Sequence, residues 1–276
     1  MQINCNHQLL DLGIPKVMGI INLTPNSFFD GGKYQKEDAY LERAEKLVRE
    51  GAAILDLGAA STKPGSKLVD KQDEWEILEK PIKQLRTRYP EMLISVDTYN
   101  ATQVKKCADQ GVNIINDISG GSWDEQMFTE IAKYEMAYVM MHIQGQPEIM
   151  QENPSYGNIL EELKEYFKIR IEKLRTLNFD KIILDPGFGF GKTLDHNFEL
   201  LAGINRLESL GHPILAGLSR KSMVFRTLDI GPNEALNGTT ALNMLVLINS
   251  AKILRVHDVK EAVETIELFS RYKANS

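Results

Sequence analysis

This 276-residue sequence predicts an α/β fold, a single-domain (β/α)8 TIM barrel spanning residues 1–276. Eight short runs rich in Val, Ile, Leu and Met recur along the chain, and none alternates apolar with polar residues. Between them lie longer segments whose apolar residues return every three or four positions, as in amphipathic helices. Continuous apolar strands belong to a parallel sheet buried on both faces, with the intervening helices as its cover. An open doubly wound sheet uses the same local pattern and stays as the alternative, but eight strands in a chain of this length favour closure.

The runs are Val17 to Asn22, Ala53 to Leu57, Leu93 to Asp97, Asn113 to Asn116, Ala137 to His142, Lys181 to Asp185, Pro213 to Gly217 and Lys252 to Val256. Between the first two, Ala39, Ala44, Leu47 and Val48 fall on one helical face, with Lys36, Glu37, Glu42, Arg43 and Glu45 elsewhere. Gly51 then ends this helix as a C-cap. No linker, low-complexity tract or composition shift divides the chain, so one domain is expected.

Hydrophobic residues at 43% and charged residues at 25% describe a globular protein able to bury a core. The net charge of -6 argues against nucleic acid as a partner, because phosphate-backbone binding needs a broadly basic surface. The start Met1-Gln2-Ile3-Asn4 has no basic stretch or apolar signal core. No apolar run approaches the roughly 20 residues of a bilayer span. A cytoplasmic protein with no membrane partner is therefore expected. Cys5 and Cys107 lack CxxC spacing, so neither a disulfide framework nor a zinc site is indicated, and Cys107 reads as helix packing.

Functional residues of a barrel lie at the C-terminal ends of its strands. The eight runs close on Asn22; on Asp56 and the loop Ser61-Thr62-Lys63; on Asp97; on Asn116 and Asp117; on His142; on Asp185; on Ser219-Arg220-Lys221-Ser222; and on Arg255-Val256-His257-Asp258. Any one Asp, Asn or Ser is explained by turn or N-cap chemistry. Polar closure of all eight, with cations after the second, seventh and eighth, points to amide and carboxylate recognition on one side of a site and anion binding on the other. Lys63, Arg220, Lys221, Arg255 and His257 could together neutralise a diphosphate or a carboxylate, Arg255 through two oxygens at once. Ser222 would sit at the next helix start, where free N–H groups attract anions.

The stretch Asp185-Pro186-Gly187-Phe188-Gly189-Phe190-Gly191-Lys192-Thr193 misses the phosphate-binding P-loop pattern by one residue, since Pro186 stands where Gly is required. Its glycines read instead as permitting close backbone approach to a flat ligand, with Phe188 and Phe190 as contacts.

Eight motifs in order resemble the dihydropteroate synthase family. They are Met18-Gly-Ile-Ile-Asn22 running on to Gly32, Asp56-Leu-Gly-Ala-Ala-Ser-Thr-Lys-Pro-Gly65, Ser95-Val-Asp-Thr98 and Ile115-Asn-Asp-Ile118; then Met141-His-Ile-Gln-Gly145, Asp185 to Lys192, Ser219-Arg-Lys-Ser-Met223 and Arg255-Val-His-Asp-Val259. The resemblance implies a transferase of folate biosynthesis, a sulfonamide target, that joins a dihydropterin diphosphate to 4-aminobenzoate with Mg2+ as cofactor, and a homodimer. It implies Asp97, Asn116, Asp185, Lys221, Met140, Phe190 and Gly217 around the pterin, and Asn22, Lys63, Arg255 and His257 around the diphosphate, with Asn22 as the metal contact. It places Phe28, Thr62, Pro64, Phe190, Ser219, Arg220 and Ser222 at the 4-aminobenzoate side, and Asn22, Lys63, Asp97, Lys221, Arg255 and His257 as the catalytic set. Ala59, Ala60 and Lys63 stand where the family usually has Gly-Gly-Glu or a close variant and Arg, and Asn26 stands where it commonly has Asp. Two other readings stay open: a corrinoid-linked methyltransferase on a similar pterin-binding barrel, and a Schiff-base aldolase built on Lys221. A pterin-binding protein without catalysis is a third.

Overall fold

The computed structural model describes residues 1–23, 33–59, 71–146 and 149–275. Two antiparallel strands, β1 (Gln2–Cys5) and β2 (Gln8–Asp11), come first. Eight more follow: β3 (Lys16–Asn22), β4 (Ile54–Gly58), β5 (Leu93–Asp97), β6 (Ile114–Asp117), β7 (Ala137–Met141), β8 (Ile182–Asp185), β9 (Ile214–Ala216) and β10 (Ala251–Val256). These eight pair in parallel in chain order, and β10 returns to β3, so the sheet is a closed barrel and the doubly wound alternative is excluded. The outer layer is α1 (Lys33–Arg49), α2 (Lys71–Arg88), α3 (Ala101–Asp109), α4 (Met127–Ile131), α5 (Ile159–Thr176), α6 (Leu194–Gly203), the single turn α7 (Ser222–Phe225), α8 (Leu236–Ile248) and α9 (Val259–Lys273). No helix among the described residues is long and apolar enough to cross a membrane.

The strands lack alternation because each serves two cores. Residues of one parity, among them Val17, Ile21, Leu55, Leu57, Ile94, Val96, Ile115, Tyr138, Ile182 and Leu184, pack outward against helix residues such as Leu47, Leu78, Val104 and Phe167. Residues of the other parity, Met18, Ile54, Leu93, Ile114, Val139, Ile183, Leu215 and Ile253, fill the barrel interior. Cys107 is fully buried on α3 in the outer core, as expected.

The interior layer is closed from below by the β1–β2 hairpin, which the sequence reading did not anticipate. Ile3, Cys5, Leu10 and Leu12 join the interior cluster. The register Cys5↔Gln8 leaves Asn6 and His7 as a two-residue turn, both at positive φ (50° and 67°), as a type I′ hairpin turn requires. Asn6 N–H donates to the Glu135 carbonyl at 2.7 Å, and Asn113 Nδ2 donates to the Cys5 carbonyl at 2.9 Å, fixing the plug to the barrel.

Parity also positions the site. Two residues beyond each apolar interior residue, on the same inward face, come Ile20, Asp56, Ser95, Asn116, Met141, Asp185, Gly217 and Arg255; Asn22 and Asp97 follow two residues later. A polar layer thus rests on an apolar one, at the C-terminal end of the strands.

Candidate active site

Arg255, carried inward by β10, is the hub of the polar layer. Its Nε donates to Asp56 Oδ2 at 2.7 Å and its Nη2 to Asp97 Oδ2 at 3.0 Å, so one guanidinium bridges three strands. Asp56, fully buried, also accepts from Ser95 Oγ at 2.6 Å and from Asn116 Nδ2 at 3.2 Å. Burial acts to lower the Arg255 pKa, but Asp56 and Asp97 outweigh it and hold the group firmly protonated. Burial pushes the Asp97 carboxyl well above the usual carboxylate range, Arg255 pulls it back, and Asp56 adds to the rise. Neither carboxylate would stay in this interior unpaired.

Asp185 and Lys221 form the second charge group. Burial raises the Asp185 carboxyl, opposed by Lys221 and by the Gly187 N–H, which donates to Asp185 Oδ1 at 2.8 Å. Burial brings Lys221 down to about 8, against the pull of Asp185. Its Nζ donates to the Phe188 carbonyl at 2.5 Å and lies 4.5 Å from the centre of the Phe190 ring. Between the two groups sits Gly217, where an added Cβ would come no nearer than 3.7 Å to Lys221 Nζ and 4.0 Å to Arg255 Cβ. The lack of a side chain at this inward position leaves the neighbouring Lys221 amine and Arg255 stem uncrowded.

The third group is the end of β10. The Ser219 hydroxyl accepts the His257 backbone N–H at 3.1 Å and lies 3.0 Å from His257 Nδ1. With one proton and two lone pairs, the hydroxyl can accept the backbone N–H and still serve either tautomer of the ring. Burial, with Arg255 next, lowers His257 to about 4, so it is neutral at pH 7 and a weak base. The Ser–His contact is therefore a local backbone tie, unlike the activated nucleophile pair of acyl transfer. Arg43 of α1 donates to the His257 carbonyl at 2.5 Å.

The geometry corrects several expectations. Met140 belongs to the helix-facing core, because its parity matches Tyr138; Met141 faces inward and clusters with Tyr99, Ile118, Ile143 and Phe190. Arg220 is not a free cation for a ligand: Asp258 grips it at 2.9 and 2.8 Å, and its Nη1 donates to the Asn233 carbonyl at 3.2 Å. His257 brings no positive charge, and Arg255 is already shared by two carboxylates. Phe188 is fully buried in the outer core. Gly187 and Gly191 make room for backbone of their own chain, since a Cβ would meet the His142 carbonyl at 2.0 Å and the Gln144 carbonyl at 2.6 Å. Asp117 is a structural turn residue, accepting from Ser119 N, Gly121 N and Tyr138 Oη at 2.6–2.8 Å. Ser222 does open a helix, though one of four residues. Asn22 is exposed at the end of β3. Phe28, Thr62, Lys63 and Pro64 lie outside the described residues.

Ser95 and Arg43 were given no role in the sequence reading, and Asp56 only a place among the polar strand ends. Asp56 and Ser95 were detectable as inward positions directly paired across β4 and β5, Asp56↔Ser95. Arg43 carried no signal, since a lone arginine on a helix reads as surface charge.

The His257 environment makes a pH prediction. Its imidazole proton signals should titrate near pH 4 by NMR, and Arg255→Ala, which removes a cation that disfavours protonation, should raise the midpoint. A wild-type midpoint above 6 would contradict the assignment.

Comparison with known proteins agrees with this geometry. Residues 18–257 match the family model described as pterin binding enzyme. The dihydropteroate synthase of Haemophilus influenzae is 36% identical over 271 residues, covering 98% of each chain. That of Escherichia coli K12 is 38% identical over 261 residues, 94% of this chain and 92% of the relative. Among solved structures, Yersinia pestis dihydropteroate synthase in complex with a sulfonamide drug aligns with a TM-score of 0.93 at 36% identity, over 99% of this chain and 100% of the other. Xanthomonas albilineans dihydropteroate synthase with 4-aminobenzoic acid aligns with a TM-score of 0.92 at 32% identity, over 99% and 98%. The chain belongs to the pterin-binding enzymes, in the dihydropteroate synthase branch of that family.

Proposed function

We propose that this enzyme condenses 6-hydroxymethyl-7,8-dihydropterin diphosphate with 4-aminobenzoate to give 7,8-dihydropteroate and diphosphate. The observation that carries the reading is the inward polar layer: Asp97, Asn116 and Asp185, on β5, β6 and β8, offer acceptors at the C-terminal end of the barrel, with Gly217, Arg255 and Lys221 on the same layer. A pterin has a donor-rich edge, and carboxylates and amides are its natural partners. The Xanthomonas albilineans relative is solved with 4-aminobenzoic acid and with 7,8-dihydropteroate, which supports the same pair of ligands here.

In the reaction the bond between the pterin methylene and the diphosphate oxygen breaks, and the oxygen leaves with the electron pair. The conjugated ring supports the positive charge left on the methylene. The arylamine lone pair then forms the new C–N bond, and the amine proton passes to water. Arg255, with Nη1 making no hydrogen bond to the described residues, can turn that edge to the leaving diphosphate while Asp56 and Asp97 hold the rest. Neutral His257, in the tautomer that carries its proton on Nε2, can add a hydrogen bond there in place of charge. No strong general base is required, because an arylamine is already unprotonated at pH 7.

The donor set fits Mg2+ carried by the substrate. Among the described residues no cluster of three or more His, Cys, Asp or Glu could hold a metal ion, whereas Asn22 offers one exposed amide oxygen at the barrel mouth. Magnesium bound through substrate phosphates and water needs only one or two protein oxygens. When bound there, the ion would draw charge from the departing diphosphate.

We further propose a homodimer through the last two helices. Leu245 and Ile248 of α8 and Leu268 and Tyr272 of α9 are exposed, at 46, 49, 65 and 59%. Sedimentation should show a dimer that Leu268→Glu converts to monomer; a monomeric wild type would overturn this.

The activity is tested by incubating the purified chain with both substrates and Mg2+, with a chelator control. Dihydropteroate and diphosphate should form together and depend on metal. Arg255→Ala should lower kcat by about a hundredfold, the scale of losing one transition-state charge partner, and Asp185→Asn should weaken pterin binding. Tight pterin binding without product would identify a binding protein instead, and wild-type behaviour of both variants would remove the site assignment.

A further inference from the structure

Lys192 ends the loop that follows β8, and nothing above uses it. The loop holds Gly187, Gly189 and Gly191 at positive φ, so its peptide groups turn away from any regular ladder. Five successive carbonyls nonetheless each accept a side-chain donor. Lys192 Nζ donates to Gly187 O and to Phe190 O, both at 3.0 Å. Lys221 Nζ serves Phe188 O at 2.5 Å, Gln151 Nε2 serves Gly189 O at 2.7 Å, and Tyr156 Oη serves Gly191 O at 2.8 Å.

Lys192 is the one donor of this set that takes two of the carbonyls. It is 3% exposed, and its Nζ also lies 3.1 Å from His142 Nδ1, on the loop after β7. The His142 carbonyl is a further, longer acceptor at 3.4 Å, and burial brings the Lys192 amine down to about 7 against the pull of Asp185. His142 is suited to accept: burial, then Lys192, holds its pKa down to about 2, so its ring is neutral. A lysine is rarely enclosed to this degree unless its hydrogen bonds are complete. The loop is thus tied by a buried side chain.

What the loop presents upward is the setting of Lys221. The Phe188 carbonyl takes the Lys221 amine, and the Phe190 ring lies 4.5 Å from it. Gly189 lets the stem lie close, since an added Cβ would come 3.2 Å from Lys221 Cδ. If the loop shifts, both partners of that amine shift with it.

We infer that Lys192 is a positioning residue: its buried amine locks the 187–191 loop so that the Phe188 carbonyl and the Phe190 ring set the Lys221 amine for the pterin. This rests on the pterin reading of the site. It makes a specific demand, that the effect of Lys192 on pterin binding pass through Lys221.

Lys192→Met keeps the aliphatic stem and removes the donors. The test is a calorimetric titration of the pterin diphosphate into wild type, Lys192→Met, Lys221→Gln and the double variant, with near-UV circular dichroism to confirm folding. Lys192→Met should weaken binding by about tenfold, within the range for coupled neighbours, and should have little further effect once Lys221 is Gln. Unchanged affinity in Lys192→Met overturns the inference. So does the same weakening in both backgrounds, which marks a general structural role. Should Lys192→Met not fold, Tyr156→Phe removes one hydroxyl from the same scaffold; it should weaken binding by about two- to threefold, again only with Lys221 present. Unchanged affinity there is equally fatal. A wild-type chain that fails to bind the pterin diphosphate would instead remove the functional reading on which the inference rests.

Discussion

A guanidinium shared between two buried carboxylates, Arg255 with Asp56 and Asp97, is the constraint on which the rest of the site depends. Each of the three would be costly in the barrel alone. Together they form a compensated layer on β4, β5 and β10, and Ser95 and Asn116 satisfy the remaining lone pairs of Asp56. The apolar layer beneath, sealed by the hairpin, keeps water from entering below and so strengthens every charge above it.

Charge compensation also governs how the pocket meets its ligand. A count of cations in the sequence suggests a strongly positive anion site, but Arg255, Arg220 and Lys221 each face a carboxylate, and His257 is neutral. Among the described residues the charges are therefore close to balanced, and an incoming diphosphate gains less from them as net charge than from donors already aimed and desolvated. Asp97 and Asp185 are both raised by burial; Arg255 bonds Asp97, while Lys221 acts on Asp185 through its charge alone. A site built this way discriminates by shape and donor pattern, because an anion lacking the pterin edge leaves those carboxylates as they were.

The barrel was legible because every strand is buried on both faces, so eight unbroken apolar runs stood out, with boundaries within about one residue of those found. The inward, strand-end placement of Asp97, Asn116, Asp185 and Arg255, with Lys221 in the loop after β9, was legible because the apolar runs mark where each strand stops. The hairpin was missed because its strands are four residues each and its turn is Asn-His rather than a glycine pair; the alternation Ile3, Cys5, then Leu10, Leu12 was the signal. Met140 was misplaced by one residue, which in a strand reverses the face. The pairing of Arg220 with Asp258 spans two loops 38 residues apart and left no local trace. The near match to a phosphate loop was set aside at Pro186, which left Lys192 without a role; only folding shows that its amine points into the protein's own carbonyls.

Denaturant unfolding of Asp56→Asn beside the wild type tests the central claim most directly. The substitution keeps the shape of the side chain and removes one of the two charges that hold Arg255. If the shared guanidinium organises the polar layer, the variant should lose about 3 kcal/mol of stability, the scale for breaking a buried ion pair. Coincident unfolding curves would mean that Asp97 alone suffices to hold Arg255, and the account of the layer would be wrong.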